Sequence, residues 1–252
     1  VQTCALPIYT VTGTSPSQIH GSHGTACAGI VGASRNNSLG IAGVVPNITL
    51  MSISDELKLG PNAAQRLADG LNWAWQNGAD VISNSWGHNA LASPLIDDAI
   101  DAALHQGRSG LGTVVVFATG NGNGSVSYPA NSNPEILAVG AMSPCAERKN
   151  PLSCDGETLW GSNFGDELDV VAPGVLIPTT DRQGSEGYDS GDYTLDFNGT
   201  SSATPHVAGV AALILSENPS LPQQEVVAII ERNAQKIGAY NYQTLPEIGR
   251  AH

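Results

Sequence analysis

Short unbroken apolar runs alternate along this chain with stretches of helical period. Thr113–Ala118 (TVVVFA), Ile136–Ala141 (ILAVGA) and Leu168–Ala172 (LDVVA) are nearly all apolar. Runs this short with no polar face suit strands covered on both sides, as in a parallel sheet. Val81–Ser85 (VISNS) and Thr49–Ser54 read as further strands. Between them, Asn62–Asn77 carries Leu67, Leu71 and Trp75 at helical spacing, with Gly78 as a stop. Ser93-Pro94 opens a second helix that runs through His105, with Gly107 beyond it. Two late helices are predicted over Ser201–Glu217 and Leu221–Ala234, and one of small residues begins at His23. Alternating strands and helices argue a doubly wound α/β domain, whose functional loops lie at the strand carboxyl ends. The Gly/Asn/Ser-rich segment 120–133 reads as a loop inside that domain, and no internal repeat or linker is visible.

Composition narrows the function classes. Of 252 residues, 41% are hydrophobic, enough for a sizeable core. Ten Lys plus Arg against 23 Asp plus Glu give a net charge of −13, which excludes a nucleic-acid footprint. No apolar stretch approaches the roughly 18 residues of a membrane span. Both ends read as foreign. Val1–Ile8 (VQTCALPI) and Glu247–His252 (EIGRAH) resemble translations of a sequencing-library adapter. Native sequence is therefore expected over 9–246, from Tyr9 to Pro246, and Cys4 leaves the cysteine count.

Three segments carry chemistry. His23-Gly24-Thr25 leads into Ala26-Cys27-Ala28-Gly29, so a His opens a helix that can pack closely on its neighbours. Val114–Ala118 runs into Thr119-Gly120-Asn121, a buried strand ending in Gly-Asn. Asn198-Gly199-Thr200-Ser201-Ser202-Ala203-Thr204-Pro205-His206 places Ser201 at a helix start, with Pro205 expected in the first turn. A serine hydroxyl there lies beside unpaired N–H groups and the positive end of the helix dipole, which favour a developing oxyanion. Alone, a Ser at a helix start is usually a cap, a Gly-Asn a turn and a His a surface residue.

Together, these segments resemble the subtilisin-like serine proteases over roughly Gly21 to Gly238. GTSxAxPHVAG around Ser201, HGTxxAG at His23 and the strand-to-Gly-Asn ending agree with the family in type, order and spacing. Lesser echoes are Asn37-Ser38-Leu39-Gly40-Ile41, Ser85-Trp86-Gly87, Tyr128-Pro129-Ala130 and Leu168–Gly174. The resemblance implies a three-layer α/β/α fold with a mainly parallel sheet and a cis Tyr128–Pro129 peptide. It implies a serine endopeptidase working through an acyl-enzyme. Ser201 is then the nucleophile, His23 the general base, and the Asn121 amide with the Ser201 N–H the oxyanion hole. Ser85, Trp86, Gly87, Ala118, Thr119 and Gly120 would line the cleft and pair with an extended peptide. His206, inside the helix, reads as structural.

The family also places a catalytic Asp on a strand before the His. No Asp precedes His23 here; the first is Asp55, after a later strand. The sheet is expected to lack its Asp-bearing strand, and this chain to be nearly inactive. No cofactor is expected for catalysis. The resemblance allows structural Ca²⁺ at Asn37 with the carbonyls of Leu39 and Ile41, and at Asp169 with carbonyls near Pro129 and Ala130. Nothing supports zinc. Cys145 and Cys154 bracket a polar loop and suit a disulfide, whereas Cys27 reads as a buried free thiol. The expected protein is secreted and monomeric, with a polypeptide substrate and an inhibitory propeptide in its precursor. Two enzyme rivals fail: the α/β-hydrolase order puts its His after the Ser, and the Gly120–Gly124 run lacks dinucleotide-binding spacing. The remaining rival is a pseudoprotease that binds peptides without cutting them.

Overall fold

The computed structural model describes residues 2–6, 21–45, 47–55, 57–238, 242–244 and 249–251. The expected limits of native sequence, Tyr9 and Pro246, fall outside them. Four parallel strands form the centre: β3 (Val81–Asn84), β4 (Val114–Ala118), β5 (Leu137–Ser143) and β7 (Val170–Pro173), in that spatial order. Their side chains alternate between two cores. Ile82, Val115, Phe117 and Ala138 face α2 (Ala63–Gln76) and α3 (Pro94–Gly110). Val81, Val114, Val116, Leu137 and Val139 face α1 (His23–Gly32), α4 (Thr200–Glu217) and α5 (Gln223–Asn233). Burial on both faces is why these strands show no alternation in sequence. The result is the three-layer α/β/α arrangement.

The predicted helices match closely. The regular part of α3 ends at Gly107, after which Arg108 and Ser109 turn left-handed at φ 51° and 58°. A Cβ on Gly107 would collide with Thr113, so the stop is also a close approach. The Tyr128–Pro129 peptide is cis, as the resemblance implies.

The sheet differs from expectation at one edge. The sheet is expected to be short of its Asp-bearing strand; an antiparallel strand that carries no Asp, β1 (Gln2–Leu6), lies between β2 (Met51–Ser54) and β3. Open edges present rows of backbone N–H and C=O groups, which an extended segment of almost any sequence can pair with. Two antiparallel additions were not predicted. β6 (Glu147–Arg148) pairs with the end of β5. β8 (Ile177–Thr180) and β9 (Tyr193–Phe197) form a ribbon over α1. There the Thr179 and Thr180 hydroxyls donate to the carbonyls of Ala26 (2.6 Å) and Thr25 (2.9 Å). Gly29 permits that approach, since a Cβ would strike both threonine hydroxyls. A second two-stranded ribbon, β10 (Tyr242–Thr244) with β11 (Gly249–Ala251), closes the described chain.

Candidate active site

Ser201 is the second residue of α4. Gly199 enters the helix at φ 121°, with its N–H on the Gly174 carbonyl at 2.8 Å. Pro205 sits in the second turn, not the first as expected, because α4 already begins at Thr200. That position has a consequence. In a regular helix the N–H of residue 205 would bond the carbonyl of residue 201, and proline has none. Two side chains fill the vacancy: Ser85 Oγ donates to the Ser201 carbonyl at 2.8 Å, and Cys27 Sγ donates to it at 3.5 Å. In return Ser201 Oγ donates to the Ser85 carbonyl at 3.3 Å. Each serine hydroxyl thus holds the other's carbonyl across the gap between β3 and α4. Ser202 cannot compete as nucleophile, for it is fully buried and its hydroxyl is spent on the Gly199 carbonyl at 2.8 Å.

Asn121 follows β4 through Gly120, which adopts φ 101°. Its Oδ1 accepts from the Thr200 N–H (2.8 Å) and the Thr200 hydroxyl (3.0 Å). With Oδ1 committed, the Nδ2 donors remain unspent among the described residues, adjacent to the Ser201 backbone. The Thr200 hydroxyl also accepts from the Gly120 N–H at 3.3 Å.

His23 opens α1, half-buried, its ring edge-on to Phe197 at 5.4 Å. Its Nδ1 lies 3.7 Å from Cys27 Sγ, which also reaches the Ser201 carbonyl, so one thiol touches both residues' surroundings. Burial pushes the His23 pKa down to about 4, making it a neutral base at neutral pH. Burial likewise pushes the Cys27 thiol up to about 12, so it stays protonated. No carboxylate among the described residues pairs with His23, and no hydrogen bond joins it to Ser201.

Ser85–Gly87 and Ala118–Gly120 continue two adjacent parallel strands at their carboxyl ends. The Trp86 side chain, however, turns into the core and packs edge-on against Phe117 at 5.1 Å, so only its backbone can meet a peptide. A Cβ on Gly87 would come within 2.7 Å of the Tyr128 carbonyl. No charged side chain belongs to either segment.

The two candidate calcium sites fare differently. Asp169 and Glu167 line a cavity of about 130 Å³ together with Asn131, Asn133 and Ala130. Asp169 is buried, with Oδ2 accepting from the Ala138 N–H at 2.7 Å. These are oxygen donors of the kind Ca²⁺ takes, though Asn133 Oδ1 already accepts from the Glu135 N–H at 2.9 Å. Asn37, Leu39 and Ile41 lie on an outer loop, and Asn37 Oδ1 is taken by the Leu39 N–H at 3.0 Å. That loop assembles no cation site among the described residues. Cys145 and Cys154 are joined, with Cα atoms 6.3 Å apart, and Cys27 is free and buried. The Ser85, Cys27 and Thr200 supports of Ser201 and Asn121 were not legible in the sequence. The only signal was the proline four residues past Ser201.

Known proteins share the sequence family and the fold. The model of the subtilase family matches residues 8–247. A calcium-dependent protease from Nostoc sp. is 41% identical over 87% of this chain, though the chain spans only 36% of that protein. A subtilisin from Bacillus pumilus is 36% identical over 91% of this chain and 76% of the subtilisin. Among solved structures, a cold-adapted subtilisin-like serine proteinase superposes with a TM-score of 0.62 at 28% identity, covering 87% of this chain and 70% of its own. A protease from Pseudoalteromonas arctica gives 0.66 at 30%, covering 85% and 64%. A family match along nearly the whole length, with relatives 36% and 41% identical, makes this chain a member of the subtilase family.

Proposed function

We propose that the protein of which this chain is part is a serine endopeptidase working through an acyl-enzyme. The observation that carries this reading is the Asn121 carboxamide. Its oxygen is tied down by Thr200, leaving its N–H donors for the space beside Ser201. An extended peptide pairs with the strand ends at Ser85–Gly87 and Ala118–Gly120. Ser201 Oγ leaves the Ser85 carbonyl, passes its proton to His23 and attacks the scissile carbonyl. Because Nδ1 faces Cys27, Nε2 is the nitrogen that takes the proton. The oxyanion receives Asn121 Nδ2 and the Ser201 N–H. His23 then protonates the leaving amine, and water hydrolyses the acyl-enzyme.

Among the described residues no carboxylate reaches His23 Nδ1, which has only the weak Cys27 thiol to orient it, and without a carboxylate turnover is slow. That same absence favours, for this chain alone, the rival reading of a peptide-binding module. Secretion, a monomeric state and an inhibitory propeptide belong to the proposal. The Cys145–Cys154 disulfide suits an oxidising compartment. Calcium at the Asp169 cavity would be structural, and two relatives named calcium-dependent proteases support it.

A fluorophosphonate probe tests the reading. Ser201 should label slowly, Ser201→Ala should not label, and Ser202→Ala should label as the parent does. A version extended upstream to include an Asp-bearing strand should cleave casein at pH 7–9. Failure of that folded, extended protein to cut leaves the binding module as the function.

A further inference from the structure

Asn163 lies outside the motifs above, yet all four hydrogen-bonding positions of its buried side-chain amide are spent on the segment that carries Asn121. Oδ1 accepts from the Gly122 N–H (2.8 Å) and the Gly124 N–H (3.1 Å). Nδ2 donates to the Thr119 carbonyl (3.0 Å) and to Ser127 Oγ (3.0 Å). The residue is 4% exposed. Its backbone joins in, the N–H donating to the Gly120 carbonyl at 2.8 Å. Around it, segment 161–164 runs parallel to 122–125 through bridges at Gly122–Gly161 and Ser125–Phe164. Asn121 therefore has its neighbours on both sides fixed by one residue.

We infer that Asn163 is a positioning residue for the oxyanion hole: it shapes the Thr119–Ser127 loop so that Asn121 Nδ2 points at the reacting carbonyl. This rests on the proposed peptidase reading. The loop needs such a template because it is rich in glycine. Gly120, Gly122 and Gly124 alternate with Asn121 and Asn123, and chain of that composition has no conformation of its own. Thr200 holds the end of the Asn121 side chain, and Asn163 holds its backbone; together they leave the amide little freedom. Preorganised donors of this kind stabilise a developing oxyanion without reorganising, and small misplacements are expensive. Gly120 is part of the same fit, since a Cβ there would sit 2.6 Å from Asn163 Nδ2.

The test compares the 252-residue chain with Asn163→Ala and Asn163→Asp, checking each fold by circular dichroism. Two readouts are taken: amide exchange at Gly122 and Gly124, and saturation labelling of Ser201 by a peptidyl fluorophosphonate. Asn163→Ala should unprotect both glycine amides. Its maximal labelling rate should fall between ten- and about a hundred-fold, with half-saturation within about twofold, because a displaced donor affects the transition state more than binding. Asn163→Asp retains acceptors and should restore protection of both amides. Adding Asn121→Ala to Asn163→Ala should slow labelling much less than it does alone, a non-additivity that general destabilisation does not produce. Unchanged maximal rates in a folded Asn163→Ala, or full additivity, overturn the assignment. Should Asn163→Ala not fold, Asn163→Ser takes its place under the same criteria. If the parent chain does not label at all, the peptidase reading of this chain fails and the oxyanion-hole role is overturned with it; lost protection at Gly122 and Gly124 in the Ala variant then supports only a template for the loop, and retained protection refutes that as well.

Discussion

Removing the Ser85 hydroxyl should destabilise the protein, and replacing Pro205 by alanine should take back most of that loss. In the native fold the Ser201 carbonyl faces Pro205, which has no N–H to give, and Ser85 Oγ serves as its main donor at 2.8 Å. Ser85→Ala leaves only the Cys27 thiol, a weak donor at 3.5 Å. A buried acceptor stripped of its partner costs about 1–3 kcal/mol, and the residual thiol contact places this case near 1–2 kcal/mol. Pro205→Ala restores the helical N–H to that carbonyl. In the Ser85→Ala background the new donor meets an unsatisfied oxygen; in the parent it meets one already bonded. The cycle should therefore show a coupling of about 1 kcal/mol, with Ser85→Ala nearly harmless once Pro205 is gone. Pro205→Ala by itself trades relief of the proline's helix penalty against a small cavity, which is why the coupling and not the single change is diagnostic. Urea unfolding followed by far-ultraviolet circular dichroism on the four proteins measures it. Equal losses from Ser85→Ala in both backgrounds, within about 0.5 kcal/mol, would refute the account of the proline.

His23 should make the fold acid-sensitive. Its pKa falls from 6.5 to about 4 on burial, so the unfolded chain takes up the proton first; the contribution is intact above pH 6.5 and lost as pH falls towards 4, by up to about 3 kcal/mol. His23→Gln should flatten the stability–pH curve across that window, and parallel curves for the two proteins would contradict it. Lys149 is fully buried, pairing with Asp155 at 2.9 Å and donating to the Asn150 carbonyl at 2.9 Å and to the Glu157 carbonyl. Lys149→Met should lower stability by about 3–5 kcal/mol because it strands a buried carboxylate, and Lys149→Met with Asp155→Leu should recover most of it. A loss below about 1 kcal/mol in thermal unfolding of the single variant would sink that reading.

Local pattern carried the helices and the central strands because their signals are short-range. Leu67 and Leu71 share a face whatever α2 packs against, and an all-apolar TVVVFA needs cover on both sides wherever it lies. The β8–β9 ribbon gave no comparable signal. Its strands are half-polar, IPTT and YTLDF, and their stability comes from threonine hydroxyls on α1 carbonyls over 150 residues away in sequence. Trp86 looked like a cleft residue because it stands inside a cleft segment, yet its large apolar surface gains more from Phe117 than from solvent.

The sequence by itself determined the fold class and the run of helices and central strands, and its motifs singled out Ser201, His23 and Asn121. Each of these is written in contiguous motifs or in period. Only the tertiary structure decided what those residues touch. It made Ser85 and Cys27 the partners of a carbonyl that Pro205 leaves open, gave Asn121 its direction through Thr200, and made Asn163 the template of a glycine-rich loop. It also put a thiol, and no carboxylate among the described residues, beside His23 Nδ1. Apart from the Cys27–His23 contact within one helical turn, these contacts join segments tens to more than a hundred residues apart. Their geometry is set by how helices dock on the sheet, and local sequence holds no record of that docking.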